Sequence, residues 1–528
     1  MIKKIEIITN SVDSVDFLFN NNKVTFENEL KFMGPITLKF TFKDPIVSVR
    51  NHDFTWSLPY ESYCASIFTP KLIKLQNNYL VQANITSGSW HIDTISKRVL
   101  YWCFNQNNQR PITQYKGESN LRNVITVPET INLKQLSLLF TKGNGIEFSR
   151  SIIPFSGIIC FTDHCDFDTL VNLQTLRGFF KDFKIKTTKG FFLNQFSKRK
   201  GNVSYENALE ELSLWKKDGH EMAYHSITQS LRKPEQAFKE FEEFNPVFSA
   251  STWIDHGYQP YNLSLSSYTT GSFLKRISHL KVKGVNNFWN YIDSGFATNG
   301  VINQLNPNHF TLNAYRQGIR VHSIKKRLRL IIKNIIFHYY ATPEHIDNYK
   351  RLASSFKNGF KIKSIKAVLK FWKHFTFFLK EILSIIFKWK KTSEIVYPLA
   401  KYTPIIFKTE DTGFLFQTLE MTDFVNGLSI SNLDVLIKES GLCILHTYFS
   451  VQLNYHEGRL LLDDKTINPH TLDNFKYLSQ QLSNQQLWNP TLEELSRYLN
   501  GFFNLELDIN SIGDICEVSN TYLISRKV

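Results

Sequence analysis

Two different periods run along this chain. Over residues 1–150 apolar and polar side chains alternate one by one, as in Ile36-Thr-Leu-Lys-Phe-Thr-Phe42 and Tyr79-Leu-Val-Gln-Ala-Asn-Ile85, in short runs broken by Asn, Gly and Pro. A period of two sets one face of a strand on a core and the other in water, so this part predicts an antiparallel β-domain. It holds no catalytic constellation and reads as a support or binding module. From residue 155 onward, short continuous apolar runs alternate with helix-period segments. Strands are expected at 157–161, 185–193, 247–254 and within 285–293, and helices at 168–182 and 205–217. Strands apolar on both faces, separated by helices, predict a parallel α/β fold.

The strand ends carry the chemistry. Gly157-Ile-Ile-Cys160 runs into Phe161-Thr-Asp-His-Cys-Asp-Phe-Asp168, which crowds three carboxylates and an imidazole into six residues. Ligands in α/β folds sit past the carboxyl ends of strands. Carboxylates so close are tolerated most readily when a metal or a shared proton compensates them. A plainer reading is a polar turn with Asp166 or Asp168 as the N-cap of the next helix. A second cluster is Gly219-His-Glu-Met-Ala-Tyr-His-Ser-Ile-Thr-Gln229, in which His225 and Gln229 stand four apart and His220 reads as a core or surface histidine. Thr252-Trp-Ile-Asp-His-Gly257 and Gly441-Leu-Cys-Ile-Leu-His446 end two further apolar runs; Asp255-His256 also reads as a simple polar exit, and His446 as a core histidine.

Taken in order, these segments resemble the polysaccharide deacetylase family (carbohydrate esterase family four). Its motifs are T-F-D-D, a strand reading A-T-F-F (here Lys186-Thr-Thr-Lys-Gly-Phe-Phe-Leu193), G-H-E-I-x-x-H-[ST]-x-x-H and a late strand ending L-x-H. Leu487-Trp-Asn-Pro-Thr-Leu-Glu-Glu-Leu-Ser-Arg-Tyr-Leu499 is similar to its final strand and helix. The resemblance covers roughly residues 155–315 and 400–505. It implies a distorted seven- or eight-stranded β/α barrel with its site at the carboxyl end. It also implies a divalent metal, zinc first, that activates water for hydrolysis of an N- or O-acetyl group on a saccharide. Carried over by position, Asp163 is the expected base and His446 the expected acid. His164, Asp166 and His225 are the expected ligands. Asp168, Asp255, His256 and Trp253 are expected to orient groups or bind substrate, with Asp255 holding an imidazole by its other nitrogen. Trp253, Trp289 and Tyr291 are sugar-stacking candidates that also read as core. The chain departs from the family where His164 follows Asp163, where Gln229 replaces a ligand histidine, and where the R-x-P-Y-G motif has no match. His164 or His256 could supply the lost imidazole. A degenerate saccharide-binding or scaffold barrel is the competing reading.

At 528 residues the chain is expected to divide into a β-rich domain (1–150), a first barrel part (151–315), a basic helical insertion (316–400) and a second barrel part (401–528). Six cysteines without metal-ligand spacing fit a reducing compartment. The start lacks a signal-peptide pattern, so a cytoplasmic location is expected, peripheral on the inner face of the membrane. The net charge of +15 is local. Residues 316–391 hold 19 Lys and Arg against three acidic side chains, leaving 43 basic and 44 acidic residues elsewhere. Within that segment 323–337 and 365–391 read as amphipathic helices. Lysines 366, 370, 373, 380 and 388 fall on one narrow face of the second, with Trp372 and Trp389 among its apolar positions. That pattern describes an interfacial helix on an anionic membrane, or a helical lid with a solvated lysine face. Nucleic acid is not expected as a partner, because the aromatics lie within apolar stretches rather than along a polar groove.

Overall fold

The computed structural model describes the chain except residues 28, 60–63, 94, 117–120, 200, 266–269, 294–301, 341–342, 358–368, 370–371, 378, 381–382, 384–401, 403–404, 410–412, 422 and 454–455. The N-terminal part is a β-sandwich. Among the described residues, antiparallel sheets of six and seven strands face one another. Ile36–Phe42 shows how alternation builds it: residues 36, 38, 40 and 42 are buried and those between are half-buried. The buried set packs with Trp90 and Trp102 of its own sheet against Val81, Leu138 and Phe140 of the other. Each such side chain, fully buried, stabilises the fold by about 1.5–3 kcal/mol.

Seven parallel strands then close a barrel: Gly157–His164, Thr188–Phe191, Glu221–Tyr224, Thr252–Trp253, Asn287–Asp293, Gly413–Met421 and Leu442–Thr447, the last returning to pair with the first. The barrel is distorted at one seam. The first strand pairs with the second only through Thr162–His164, and an eighth short strand, Leu487–Trp488, occupies its edge at Gly157 and Ile158. This is the expected β/α barrel behind an antiparallel β-domain. Alternate residues of each strand serve two cores. Ile158, Cys160, Ala223, Trp289, Phe416, Leu442 and Ile444 fill the bore. Ile159, Phe161, Cys443 and Leu445 face outward to the helices, against Leu173, Leu176, Leu433 and Phe475.

Boundaries moved for local reasons. The first strand runs three residues beyond the expected 161, to His164. The following helix is Leu170–Phe183, and its N-cap is Thr169 in a capping box with Asn172, so neither Asp166 nor Asp168 caps it. The expected helix 205–217 is Leu209–Lys217, and the expected strand 247–254 shrinks to Thr252–Trp253.

The two halves interlock. A hairpin of the N-terminal part, Pro111–Lys116 with Leu121–Thr126, crosses to the barrel. Its Thr113 N–H donates to Asn290 Oδ1 (3.1 Å), and its Ile112 is buried in the barrel's outer core. In the other direction, Ser525–Lys527 pairs with Ile146–Phe148, and Ile515 N–H donates to Asn144 O. Arg150, fully buried, donates to His52 O, Phe68 O and Ser440 O (2.7–3.0 Å).

The basic insertion leaves the barrel after the fifth strand and returns before the sixth. Its described helices include Leu312–Gly318, Ile324–Asn334 and Pro343–Lys357. Most of the expected helix 365–391 lies outside the described residues; 369, 372–377, 379–380 and 383 lie within them and are helical. No described helix is long and apolar enough to cross a membrane.

Candidate metal centre

Strand parity decides which side chain of the first strand's polar end enters the bore. Successive side chains point to opposite faces. Ile158 and Cys160 face the bore, and so does His164; Ile159 and Phe161 face the helices, and so does Asp163. By the same count His446 of the seventh strand enters the bore beside His164, their rings stacked at 3.8 Å with 20° between planes. Trp289 of the fifth strand packs against the pair within the bore. Its ring stands edge-on to both imidazoles at 5.1 Å, and its Nε1 donates to Thr418 Oγ1 (3.0 Å).

His225 follows the third strand. Gly190 of the neighbouring strand makes room for it, since a Cβ there would stand 3.2 Å from His225 Cβ. The chain then turns at Ser226 in the left-handed region (φ 62°), a conformation that is costly for a non-glycine residue and frequent at functional sites. Asp166 arrives on the loop after the first strand. Its carbonyl accepts from Gln229 Nε2 (3.0 Å) and from Arg199 Nη1, whose guanidinium stacks on Phe167 at 4.1 Å.

His164, Asp166 and His225 each offer a ligand atom, all within 4.8 Å of one another, in a group that can hold a metal ion. His225 stands between two acceptors, its Nδ1 3.3 Å from Ile254 O and its Nε2 3.2 Å from Asp166 Oδ2. Burial pulls the His225 pKa down to about 4, although Asp166 works the other way. Burial, then His446 and His225, hold His164 well below its ordinary value too. Burial would raise Asp166, but His256 and His225 more than offset it and keep the carboxyl ionised. Two neutral imidazoles and a carboxylate are the donor set of zinc and its neighbours.

The other expected residues divide. His256 joins the centre: its Nε2 is 2.7 Å from Asp166 Oδ1 and its ring 4.9 Å from His225. It stands at the second oxygen of the carboxylate. Gln229 donates to the Asp166 carbonyl and so pins that loop. Asp163 and Asp168 stay outside the bore. Both carboxylates pair with Lys189 of the second strand (2.7 Å for Asp168), and all three side chains are fully buried. Asp163 also accepts from Thr447 Oγ1 and from Phe449 N–H, both at 2.9 Å. Asp255 accepts from Trp253 Nε1 (2.8 Å) and from Ser264 N and Oγ (2.7 Å), and so holds a loop rather than an imidazole. Trp253 lies in the outer core, against Phe241 and Phe244. His220 is a core residue between Phe180 and Trp215. The side chain of Tyr291 lies outside the described residues.

Lys189 and Tyr448 were not anticipated. A lysine within the expected strand 185–193 was the signal for the first; the strand Thr188–Phe191 is buried throughout. Tyr448, half-buried, lies 4.8 Å from His446 and 5.3 Å from His164, and one residue beyond a strand end it left no periodic signal.

No family model and no curated protein sequence matches the chain. Among solved structures it is similar to the Flavobacterium johnsoniae GH31 dextranase complexed with glucose, with TM-score 0.31 and 10% identity over 96% of this chain and 63% of that one. A mutant of that dextranase complexed with isomaltotriose gives TM-score 0.30 at the same identity and coverage. This chain thus spans less than two thirds of the length of those enzymes, and a likeness this weak carries no argument.

Proposed function

We propose that the protein is a metal-dependent hydrolase that removes an acetyl group from an N- or O-acetylated saccharide. The observation that carries the metal-dependent part is the convergence of His164, Asp166 and His225 at the carboxyl end of the barrel, their ligand atoms all within 4.8 Å of one another. The acetyl and saccharide parts rest on the order of motifs shared with polysaccharide deacetylases.

His164, Asp166 and His225 are the residues that would hold the ion. A divalent ion held there would supply polarisation of an acyl carbonyl and a water acidic enough to serve as nucleophile near neutral pH. The side chains divide the remaining work. Asp166 and His256 form a carboxylate–imidazole pair at 2.7 Å that takes the attacking water's proton. His446, held by its stack on His164 and by the Trp289 edge, gives a proton to the leaving nitrogen or oxygen. Tyr448, half-buried beside both rings, offers a face on which a sugar ring packs. Asp163, expected as the base, becomes a positioning residue in this scheme, because its carboxylate already serves Lys189, Thr447 and Phe449.

Gln229 favours a second reading, a barrel that binds saccharide without hydrolysing it. Elemental analysis of purified protein separates the two. Roughly one divalent ion per chain, lost in His225→Ala, together with acetate release from acetylated oligosaccharides, supports the hydrolase. Wild-type protein that takes up no ion from a zinc- or cobalt-supplemented buffer refutes it.

A further inference from the structure

Among the described residues, the apolar face of the helix Ile324–Asn334 docks on the protein at its C-terminal end. Leu330 and Ile331 pack against Leu312, Tyr315, Ile319 and Ile335. The N-terminal end of that same face is left uncovered: Ile324 and Leu328, seven and three residues before Ile331, and Val321 just ahead of the helix are 71%, 57% and 64% exposed. Exposed Arg320, Lys325 and Arg329 flank it. The described part of the later helix repeats the pattern. Leu369, Trp372, Leu379 and Leu383 are 65%, 55%, 43% and 42% exposed, with exposed Lys373 and Lys380 between them. A scattered exposed leucine needs no explanation. Two exposed stripes of large apolar side chains, each edged by cations, in a segment holding 19 basic against three acidic residues, do.

The place of the first stripe is also fixed. The insertion leaves from the carboxyl end of the fifth strand, the end of the barrel at which His164, His225 and His446 lie. Lys326 ties the helix Ile324–Asn334 to Glu457, in the segment after the seventh strand. Lys333 is within electrostatic reach of Glu420, the residue paired with His446 on the adjacent strand.

We propose that these two stripes seat the mouth of the barrel on an anionic lipid bilayer, the apolar side chains entering the interface and the lysines and arginines meeting phosphate headgroups. An interfacial helix needs both components: apolar area gives partitioning, and cations give selectivity for negative lipid. Nucleic acid would use the cations but leave the stripes in water. The surface brings the centre to the plane where a lipid-linked saccharide lies. Attachment itself does not depend on the hydrolytic reading.

Co-sedimentation with vesicles of phosphatidylcholine, with and without phosphatidylglycerol, tests this on the full chain. Wild-type protein sediments with phosphatidylglycerol vesicles, is released by salt, and stays in solution with phosphatidylcholine alone. The pairs Ile324→Glu with Leu328→Glu, and Trp372→Glu with Leu379→Glu, each lower partitioning at least about tenfold. Unchanged thermal melting shows that these surface variants remain folded. Equal binding to both vesicle types, variants that bind as wild type does, or binding to duplex DNA without binding to phosphatidylglycerol vesicles each overturns the proposal.

Discussion

Replacing Lys189 with methionine tests the claim that Asp163 and Asp168 belong to a structural network rather than to the catalytic centre. Methionine keeps the length of the side chain and removes its charge. Lys189 is fully buried between two fully buried carboxylates. Removing one partner of such a group leaves uncompensated charge inside and costs about 3–5 kcal/mol. At roughly 2–4 °C per kcal/mol, the barrel's melting temperature falls by about 6–20 °C at neutral pH. The loss depends on pH. Asp168 sits at about 6 even in the wild type, raised by burial and by Asp163 and lowered by Lys189. A carboxyl whose folded pKa lies above its unfolded value gives stability in acid that drains away as pH rises between the two values. Without Lys189 the folded value rises further, so the window of loss extends toward neutrality. The variant's deficit against wild type therefore widens from about pH 5 to pH 8. Thermal melting by circular dichroism across that range measures it. A deficit that does not change with pH, or a fall of less than about 2 °C, refutes the argument. Adding Asp163→Asn to Lys189→Met recovers part of the loss, because one orphaned charge goes with it.

Three further outcomes follow from the geometry. His220, whose pKa burial lowers to about 4, must stay neutral in the fold while its unfolded counterpart titrates near 6.5. Stability is thus lost as pH falls from 6.5 to 4, by up to about 3 kcal/mol; His220→Phe flattens that acid limb in pH-dependent urea melts. Gln229→Ala releases the Asp166 loop and weakens zinc binding about 10–100-fold by competition titration, the usual scale for removing a group that orients a ligand. Glu439 lies between His52 (3.5 Å) and His309 (3.3 Å) and accepts from Asn303 and Asn306. Glu439→Ala costs about 1–3 kcal/mol and speeds limited proteolysis between sandwich and barrel.

Much of the architecture was legible because it follows from period alone. Alternation marked the sandwich, and apolar runs between helical segments marked the barrel. The convergence of His164, Asp166 and His225 into a group that can hold a metal was legible because each stands at or just past a strand end. The place of Asp163, expected as the base, was not, for a reason of parity. Ending the first strand at Phe161 left the direction of the next residues open. The strand continues to His164, and neighbours on a strand face opposite ways. Trp253 and Asp255 were hidden differently: a tryptophan and an acid two apart suggest a binding site, yet here the indole N–H satisfies the carboxylate inside the protein. Gln229 departs from the motif, and His256, one of the two imidazoles expected to stand in for it, reaches the Asp166 carboxylate from another strand end. The expected helix 365–391 lies mostly outside the described residues; of its expected lysine face only Lys373 and Lys380 lie within them, and both are exposed.

The hairpin that crosses from sandwich to barrel has a practical corollary for anyone who treats a β/α barrel as a portable cassette. Excising it at Ser151 strips the bed on which Ile112, Val124 and Ile125 rest, removes the partner of Asn290 Oδ1, and discards the arginine that anchors Ser440 O. Chimaeras that exchange catalytic units between proteins of this plan need the first 150 residues to travel with the rest.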